Sequence, residues 1–136
     1  WDFEWWWDQP NVPHVAEFVA DFRKAMGKTP TARHWFGVVS VHSVKLAAEK
    51  AKSLEGLPMA HALENLELPP EVALQPGKVF FRAGDHELMA GIFVGQVHPP
   101  GKDGKDDLFT VEKIVPGEEA AGTVADTGCK MAFPAT

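Results

Sequence analysis

The side chains most able to do chemistry in this 136-residue chain are six histidines, one cysteine and several acidic clusters. The histidines are scattered, with no His-x-x-x-His pair and no pair of cysteines; they are His14, His34, His42, His61, His86 and His98. A structural zinc site needs four such ligands at short, regular spacings. We therefore predict no metal centre of this kind.

Acidic oxygens are concentrated in one glycine-rich stretch, where Asp103, Asp106 and Asp107 lie close together. Carboxylates are the ligands that Ca²⁺ prefers, but the twelve-residue EF-hand pattern with its closing glutamate is absent. We interpret this stretch as a solvated loop.

Nucleophilic catalysis has no supporting motif. Cys129 lacks a local nucleophile signature, and Gly-x-Ser-x-Gly is absent. Ser40 and Ser43 fall within a helical pattern, where a hydroxyl usually bonds back to the main chain. Gly27-Lys28-Thr29 resembles the end of a phosphate-binding loop, but Phe22 stands where the first glycine is required. We predict that the chain is not an enzyme and needs no cofactor.

The composition is that of an ordinary globular domain, with 45% hydrophobic and 24% charged residues. The net charge of −6 argues against a nucleic-acid partner, because affinity for phosphates depends on a basic surface. No apolar run reaches the roughly 18 residues that span a bilayer. The chain opens on Trp1 rather than methionine, so we expect that it does not begin at a natural N-terminus.

Hydrophobic periodicity predicts two long helices. The first carries one continuous stripe and ends at Gly27; the stripe consists of Val15, Phe18, Val19, Phe22 and Met26. The second extends from about Ala32 to Leu54. Its predicted inner stripe consists of Val38, Val41, Val44, Ala48 and Ala51.

Three later segments are predicted strands: 79–81, 90–97 and 108–115. Residues 90–97 are apolar on both faces through the middle, which predicts a central position in a sheet. Because helices and strands are interleaved, the fold class is predicted to be α/β.

The N-terminus is unusually aromatic, with Trp1, Phe3, Trp5, Trp6 and Trp7 in seven residues. Alternation predicts an extended segment with the odd-numbered aromatic residues on one face. Two interpretations stay open at this point. The segment either packs against a core as an edge, or forms an aromatic wall for a ligand, since tryptophan offers a flat apolar face with one N–H donor.

Two motifs carry a resemblance to a known family. Phe18 to Pro30 fits F-x-x-x-[FY]-[RK]-x-x-x-G-x-x-P, and Gly77 to His86 fits G-x-x-x-F-R-x-x-D-H. With the helix containing Gly37 and the segment from Phe109 to Cys129, they make the chain resemble the C-terminal portion of the substrate-binding proteins of branched-chain amino acid ABC transporters. These are type I periplasmic binding proteins, also called extracellular ligand-binding receptors.

The resemblance implies a partial type I periplasmic binding protein fold, a fragment of two Rossmann-like lobes. Residues 1–83 would complete the first lobe as a late insertion of helices and a short strand. Residues 84–136 would supply the hinge crossing and the terminal strands of the second lobe. The family's first lobe and most of its second would precede Trp1, so the missing N-terminal part of the same receptor is an expected partner.

The resemblance also places ligand contacts. An aromatic-Asp pair at the inter-lobe crossing matches Trp7-Asp8, so the predicted ligand-binding residues of the cleft are Trp5, Trp6, Trp7 and Asp8. Family members often carry a tyrosine near the start of the middle helix, where this chain has Val38 or Val39 and no tyrosine at all. Trp35 or Phe36 would replace that contact, or the pocket has a different shape.

The implied function is solute capture: a small carboxylate or amino acid binds between two lobes and is delivered to an ABC transporter permease. The implied location is the periplasm, or an extracellular, membrane-associated position. The alternative is a truncated fragment without solute affinity that self-associates, for example as a homodimer. Cys129 is either a free thiol or half of a disulfide bond with a cysteine outside this chain; the resemblance suggests the second.

Overall fold

The computed structural model describes residues 1–102, 104–132 and 134. Asp103 of the acidic loop and residues 133, 135 and 136 lie outside this description. The elements in chain order are β1 (Asp2–Phe3), α1 (Val15–Met26), α2 (Ala32–Ala51), α3 (Gly56–Leu63), α4 (Pro70–Ala73), β2 (Phe80–Phe81), β3 (Leu88–Met89), β4 (Ile92–Val97), β5 (Phe109–Val115), α5 (Gly117–Ala120) and α6 (Val124–Thr127).

The first helix has the predicted position and end. Val15 and Val19 of α1 are buried, and Gly27 follows at φ 66°, in the left-handed region that glycine enters without strain. The Gly27 N–H donates to the carbonyl of Arg23, as expected of a left-handed C-terminal cap.

The second helix exists, but the stripe predicted to face inward is wrong. The buried residues of α2 follow a different row of the helix: Ala32, Trp35, Val39, Ser43 and Ala47. Val41, from the predicted stripe, is 70% exposed, whereas Val39 is 2% exposed. Both faces carry small apolar side chains, so periodicity alone could not choose between them. The choice is made by Trp35, whose large ring is enclosed only on the observed face.

The strands form two antiparallel sheets. One has the order β1-β4-β5, and the other pairs β2 with β3. The predicted central position of residues 90–97 is confirmed, since β4 lies between two partners and Phe93 is fully buried. An irregularity between Val94 and Gly95 shifts the register with β5. The mixed α/β class is therefore confirmed.

The aromatic N-terminus does not present one face. β1 covers only two residues, and Trp5 enters the core while Trp1 is exposed, so the predicted alternation is wrong. The Trp5 indole N–H donates to the carbonyl of Leu74 at 2.7 Å, and the Trp35 indole donates to Ala73 at 2.9 Å. Both rings lie in one hydrophobic core with α4 and Val79.

A charged turn joins the β2–β3 hairpin to the C-terminal segment. Arg82 donates to the Asp85 carboxylate through Nε at 2.9 Å and to the carbonyl of Gly122 through Nη1 at 2.6 Å. A Cβ on Gly84 would lie 2.7 Å from a methyl group of Val124, so the turn packs directly on α6. None of the helices among the described residues combines the length and the apolar character of a membrane-spanning segment.

The same substitution on the two faces of α2 tests which one is buried. Val39→Ala should lower the free energy of unfolding by about 2 kcal/mol, because two methyl groups leave a packed site. Val41→Ala should change it by less than about 0.5 kcal/mol, because Val41 is exposed. Urea unfolding of both variants measures the difference, and equal losses would contradict the observed orientation.

Acid should weaken the charged turn. The hydrogen bonds from Arg82 hold the pKa of Asp85 below its ordinary value of 3.8. A lowered folded-state pKa stabilises the fold above the unfolded pKa, and this stabilisation is lost as pH falls through the folded pKa. We expect Asp85→Asn to cost stability near neutral pH and progressively less as the pH falls below the ordinary pKa of 3.8. Urea unfolding of both proteins between neutral and acidic pH measures this difference in stability. Glu118→Gln, an exposed carboxylate on α5, is the control, and a constant Asp85→Asn cost at all pH values would refute the idea.

Candidate functional site

A cleft of about 330 Å³ opens where three parts of the chain meet. Its floor is the aromatic segment from the end of β1 onward, one wall is residues 29–33 at the entry to α2, and the other wall is the β4–β5 connection at Asp106 and Leu108. The floor residues are Phe3, Glu4, Trp5, Trp6 and Trp7. The cleft therefore combines segments far apart in sequence.

Aromatic rings pack around Trp6 on the cleft floor. Its ring centroid lies 5.7 Å from that of Phe3, 6.1 Å from that of Trp7 and 5.3 Å from that of Phe109 on β5. These separations are in the range of favourable edge and tilted contacts. Because Trp5 is anchored in the core beside it, the next ring in the chain is directed away from that core and towards the cleft.

Arg33 supplies a positive charge on the α2 wall. Its guanidinium lies 3.6 Å from the Glu4 carboxylate, and the Arg33 side chain is 79% exposed. Exposed ion pairs of this kind contribute little to stability. The guanidinium also lies 5.8 Å from the centroid of the Phe36 ring. Arg33 is thus held near the cleft by weak contacts that an anionic group could replace.

A chain of polar contacts links the two walls. Thr29 donates its hydroxyl proton to the Asp106 carboxylate at 2.6 Å, and Arg23 Nε donates to the Thr29 hydroxyl at 3.0 Å. The Trp7 indole N–H donates to the main-chain carbonyl of Asp106 at 3.2 Å. The Arg23 guanidinium lies 4.7 Å from the centroid of the Trp7 ring, within the distance of a cation–π contact.

The residues predicted to bind a ligand divide into two groups. Trp5, Trp6 and Trp7 line the cleft, although Trp5 does so from the core. Asp8 lies beside it, on the border of two neighbouring grooves: one of about 260 Å³ against α1, and one of about 410 Å³ against the β4–β5 strands.

The other three predicted residues lie along α2. Trp35 is buried with its N–H bonded to Ala73, Phe36 lines a separate groove of about 200 Å³, and Val38 is half-buried. The structure thus does not bring these three into the cleft of Trp6 and Trp7. Their role as ligand contacts stays a prediction.

Sequence reasoning missed the polar residues of the cleft. Thr29, Arg33 and Asp106 line it, and the sequence predicted none of them as a ligand contact of the cleft. Asp106 was interpreted as part of a solvated loop. Asp106 contacts Thr29, which lies 77 positions away along the chain. Local sequence pattern carries no signal for a contact over such a separation.

A second polar cluster lies away from the cleft. The Glu64 Oε1 atom lies 3.4 Å from His61 Nδ1 and 3.2 Å from His86 Nε2. Contact with the Pro134 carbonyl raises the pKa of His61 above 6.5, and the hydrogen bond with His86 lowers the pKa of Glu64. In the part of the chain that the structure describes, no group of three or more His, Cys, Asp or Glu side chains is arranged to hold a metal ion.

Solved structures share this fold over nearly the whole chain. An amino acid ABC transporter substrate-binding protein from Pseudomonas fluorescens is 24% identical and superposes with a TM-score of 0.74, over 93% of this chain and 32% of its own. An ABC-type branched-chain amino acid transporter protein from Rhodopseudomonas palustris is 22% identical, with a TM-score of 0.70, over 87% of this chain and 30% of its own.

A third structure contains a ligand. This solute-binding protein of an ABC transporter from Rhodopseudomonas palustris, in complex with 3,4-dihydroxybenzoic acid, is 18% identical and has a TM-score of 0.69, over 85% of this chain and 30% of its own. The present chain therefore spans about 30% of the length of these structures. No curated protein matches its sequence.

Sequence comparison with family models gives a match that extends over residues 1–105 and is described as periplasmic binding protein. The matched region includes the aromatic floor, both long helices and the central strand of the larger sheet. The chain belongs to the periplasmic binding protein family.

Proposed function

We propose that this chain forms part of the substrate-binding component of an ABC importer, which captures an amino acid or a related small carboxylate and delivers it to a permease. The observation that carries the proposal is the tryptophan-lined cleft with a weakly paired arginine on its wall. Family membership supports a periplasmic location and a binding role without a chemical step.

The cleft matches a small carboxylate in both its apolar and its charged parts. Trp6 and Trp7 offer ring faces for an apolar or aromatic body. Arg33 offers a planar set of donors that fits a carboxylate. Ligand pockets commonly combine an apolar lining with a few placed polar groups. The similar proteins named for branched-chain amino acid transport and solved with 3,4-dihydroxybenzoic acid support an amino acid or an aromatic carboxylate as the solute.

The division of the chain between two lobes belongs to this proposal. Residues 1–83 would complete one lobe, and residues 84–136 would carry the crossing and terminal strands of the other. The pairing of β1 with β4 supports a crossing near the aromatic segment, because it joins the start of the chain to the second part. The remainder of the receptor would then supply the rest of both lobes and further ligand contacts, and the lobes would close around the solute as hinged bodies.

Titration of the chain with L-leucine and with 3,4-dihydroxybenzoate, followed by tryptophan fluorescence and calorimetry, tests the proposal. We expect at least one of these carboxylates to bind. Arg33→Gln should weaken that binding by about tenfold or more, because a charge-assisted hydrogen bond to the ligand is lost.

Lys50→Gln is the matched control, since it removes an exposed cation from the far end of α2. Unchanged affinity in Arg33→Gln would show that the arginine does not receive the carboxylate. If the chain binds neither L-leucine nor 3,4-dihydroxybenzoate, the proposed capture by this part of the receptor fails.

The second candidate is self-association without solute affinity. It is favoured by the outward apolar row of α2, in which Val41 and Val44 are exposed on a helix whose opposite face is already packed. A helix that is apolar on opposite faces normally has both of them covered. The exposed Trp1 adds a further apolar group.

Sedimentation velocity over a range of concentrations distinguishes this candidate. If copies associate through α2, Val41→Glu should shift the chain to monomer, because a carboxylate would be buried between like surfaces. Ser40→Glu adds the same charge at an exposed position beside the row and should leave the association unchanged. A wild-type chain that sediments as a monomer at all concentrations would exclude the candidate.

A further inference from the structure

The two walls of the cleft are joined by one short side-chain hydrogen bond. It connects the Thr29 hydroxyl, just before α2, with the Asp106 carboxylate in the β4–β5 connection at 2.6 Å. Both residues line the cleft, and both are half-buried. At this point, the hydrogen bond between Thr29 and Asp106 therefore sets the distance between the two walls.

The chemistry of the contact has a fixed direction. Arginine only donates, and an ionised carboxylate only accepts. The Thr29 hydroxyl therefore accepts a hydrogen bond from Arg23 Nε at 3.0 Å and donates one to the Asp106 carboxylate. Hydrogen bonds with a charged partner are about twice as strong as neutral ones. Thr29 has such a partner on each side.

Trp7 closes the arrangement. Its indole N–H donates to the main-chain carbonyl of Asp106, and the guanidinium of Arg23 lies over its ring. Asp106 therefore holds the Trp7 ring at its nitrogen, and Arg23, which also donates to Thr29, holds it at its face. A change at Thr29 or Asp106 is expected to reach Trp7.

We propose that Thr29 and Asp106 are positioning residues of the cleft: their hydrogen bond fixes the spacing of its walls and the orientation of Trp7 for a bound solute. The effect on a solute rests on the proposed function, whereas the positioning of Trp7 does not.

The fold has other contacts that hold the same elements. β4 and β5 remain paired through Val97 and Phe109, next to the connection. The start of α2 is closed by the Thr31 N–H, which donates to His34 Nδ1 at 3.0 Å. Loss of the Thr29–Asp106 bond is therefore expected to leave the helices, the sheet and the core in place.

Hydrogen exchange of the indole N–H groups, followed by ¹H–¹⁵N NMR on the whole chain, tests the positioning without any ligand. Trp7→Phe assigns the Trp7 signal. The indoles of Trp5 and Trp35 are buried and bonded to carbonyl groups, so they report on the core, while exposed Trp1 reports the unprotected rate. Thr29→Val should speed exchange at Trp7 by about tenfold. Thr29→Ser keeps the hydroxyl and should preserve the wild-type rate.

Asp106→Ala should reproduce the effect of Thr29→Val, and Lys105→Ala, a truncation of the exposed neighbouring side chain, should not. Faster exchange at Trp7 alone supports the proposal. Unchanged Trp7 exchange in Thr29→Val would overturn it. Equal acceleration at Trp5 and Trp35 would also overturn it, because the residues would then act on the whole fold.

The solute arm uses L-leucine and 3,4-dihydroxybenzoate with the same variants. If the wild-type chain binds one of them, Thr29→Val should raise its dissociation rate and Thr29→Ser should not; equal rates would refute the role in solute retention. If the wild-type chain binds neither, the proposed capture by this chain fails, and the exchange experiment still decides whether Thr29 and Asp106 position Trp7.

Discussion

The structure depends on two buried tryptophans whose N–H groups bond to consecutive carbonyls. Trp5 from the N-terminal segment donates to Leu74, and Trp35 from α2 donates to Ala73. A buried indole without a partner would be costly, since an unsatisfied donor loses its hydration. Both carbonyls lie at the C-terminal end of the short helix α4, so this end is tied to both rings. This requirement ties the N-terminus, the longest helix and the middle of the chain into one core.

The cleft follows from that constraint. Trp5 is fixed in the core, while Trp6 and Trp7 are half-buried at its surface, where Phe3 and Phe109 pack around Trp6. The floor of the cleft is thus the outer side of the core. An aromatic surface held in this way loses little conformational freedom when it binds a ligand, which is the physical basis of preorganised recognition.

The helices and the central strand could be predicted, because each depends mainly on the residues within its own segment. The positions of α1 and α2 follow from periodicity, and the central place of β4 follows from its apolar residues on both faces. Gly27 ends α1 because glycine can adopt the left-handed conformation. The inward face of α2 could not be predicted, because small apolar residues occur on both sides of the helix. Which side is buried depends on the hydrogen bond of the Trp35 indole with the distant Ala73 carbonyl. Of the cleft, Trp6 and Trp7 were predicted from their density and from a family resemblance. Arg33 and Asp106 were not, since their roles arise from contacts between distant segments.

The cleft therefore has two parts with different mechanical properties. Its floor at Trp5 and Trp6 is supported by the core and by the packed rings of Phe3 and Phe109, whereas the orientation of Trp7 depends on the polar walls. Its polar walls are held by Arg33 through an exposed ion pair and by the short relay from Arg23 to Asp106. The exposed ion pair of Arg33 with Glu4 can be exchanged for another anion at small cost, whereas the charge-assisted bond of Thr29 with Asp106 is stronger and holds the walls together. Under the proposed capture of a carboxylate, the aromatic floor would supply the apolar contact and Arg33 the exchangeable charged contact, while Thr29 and Asp106 keep the walls in place.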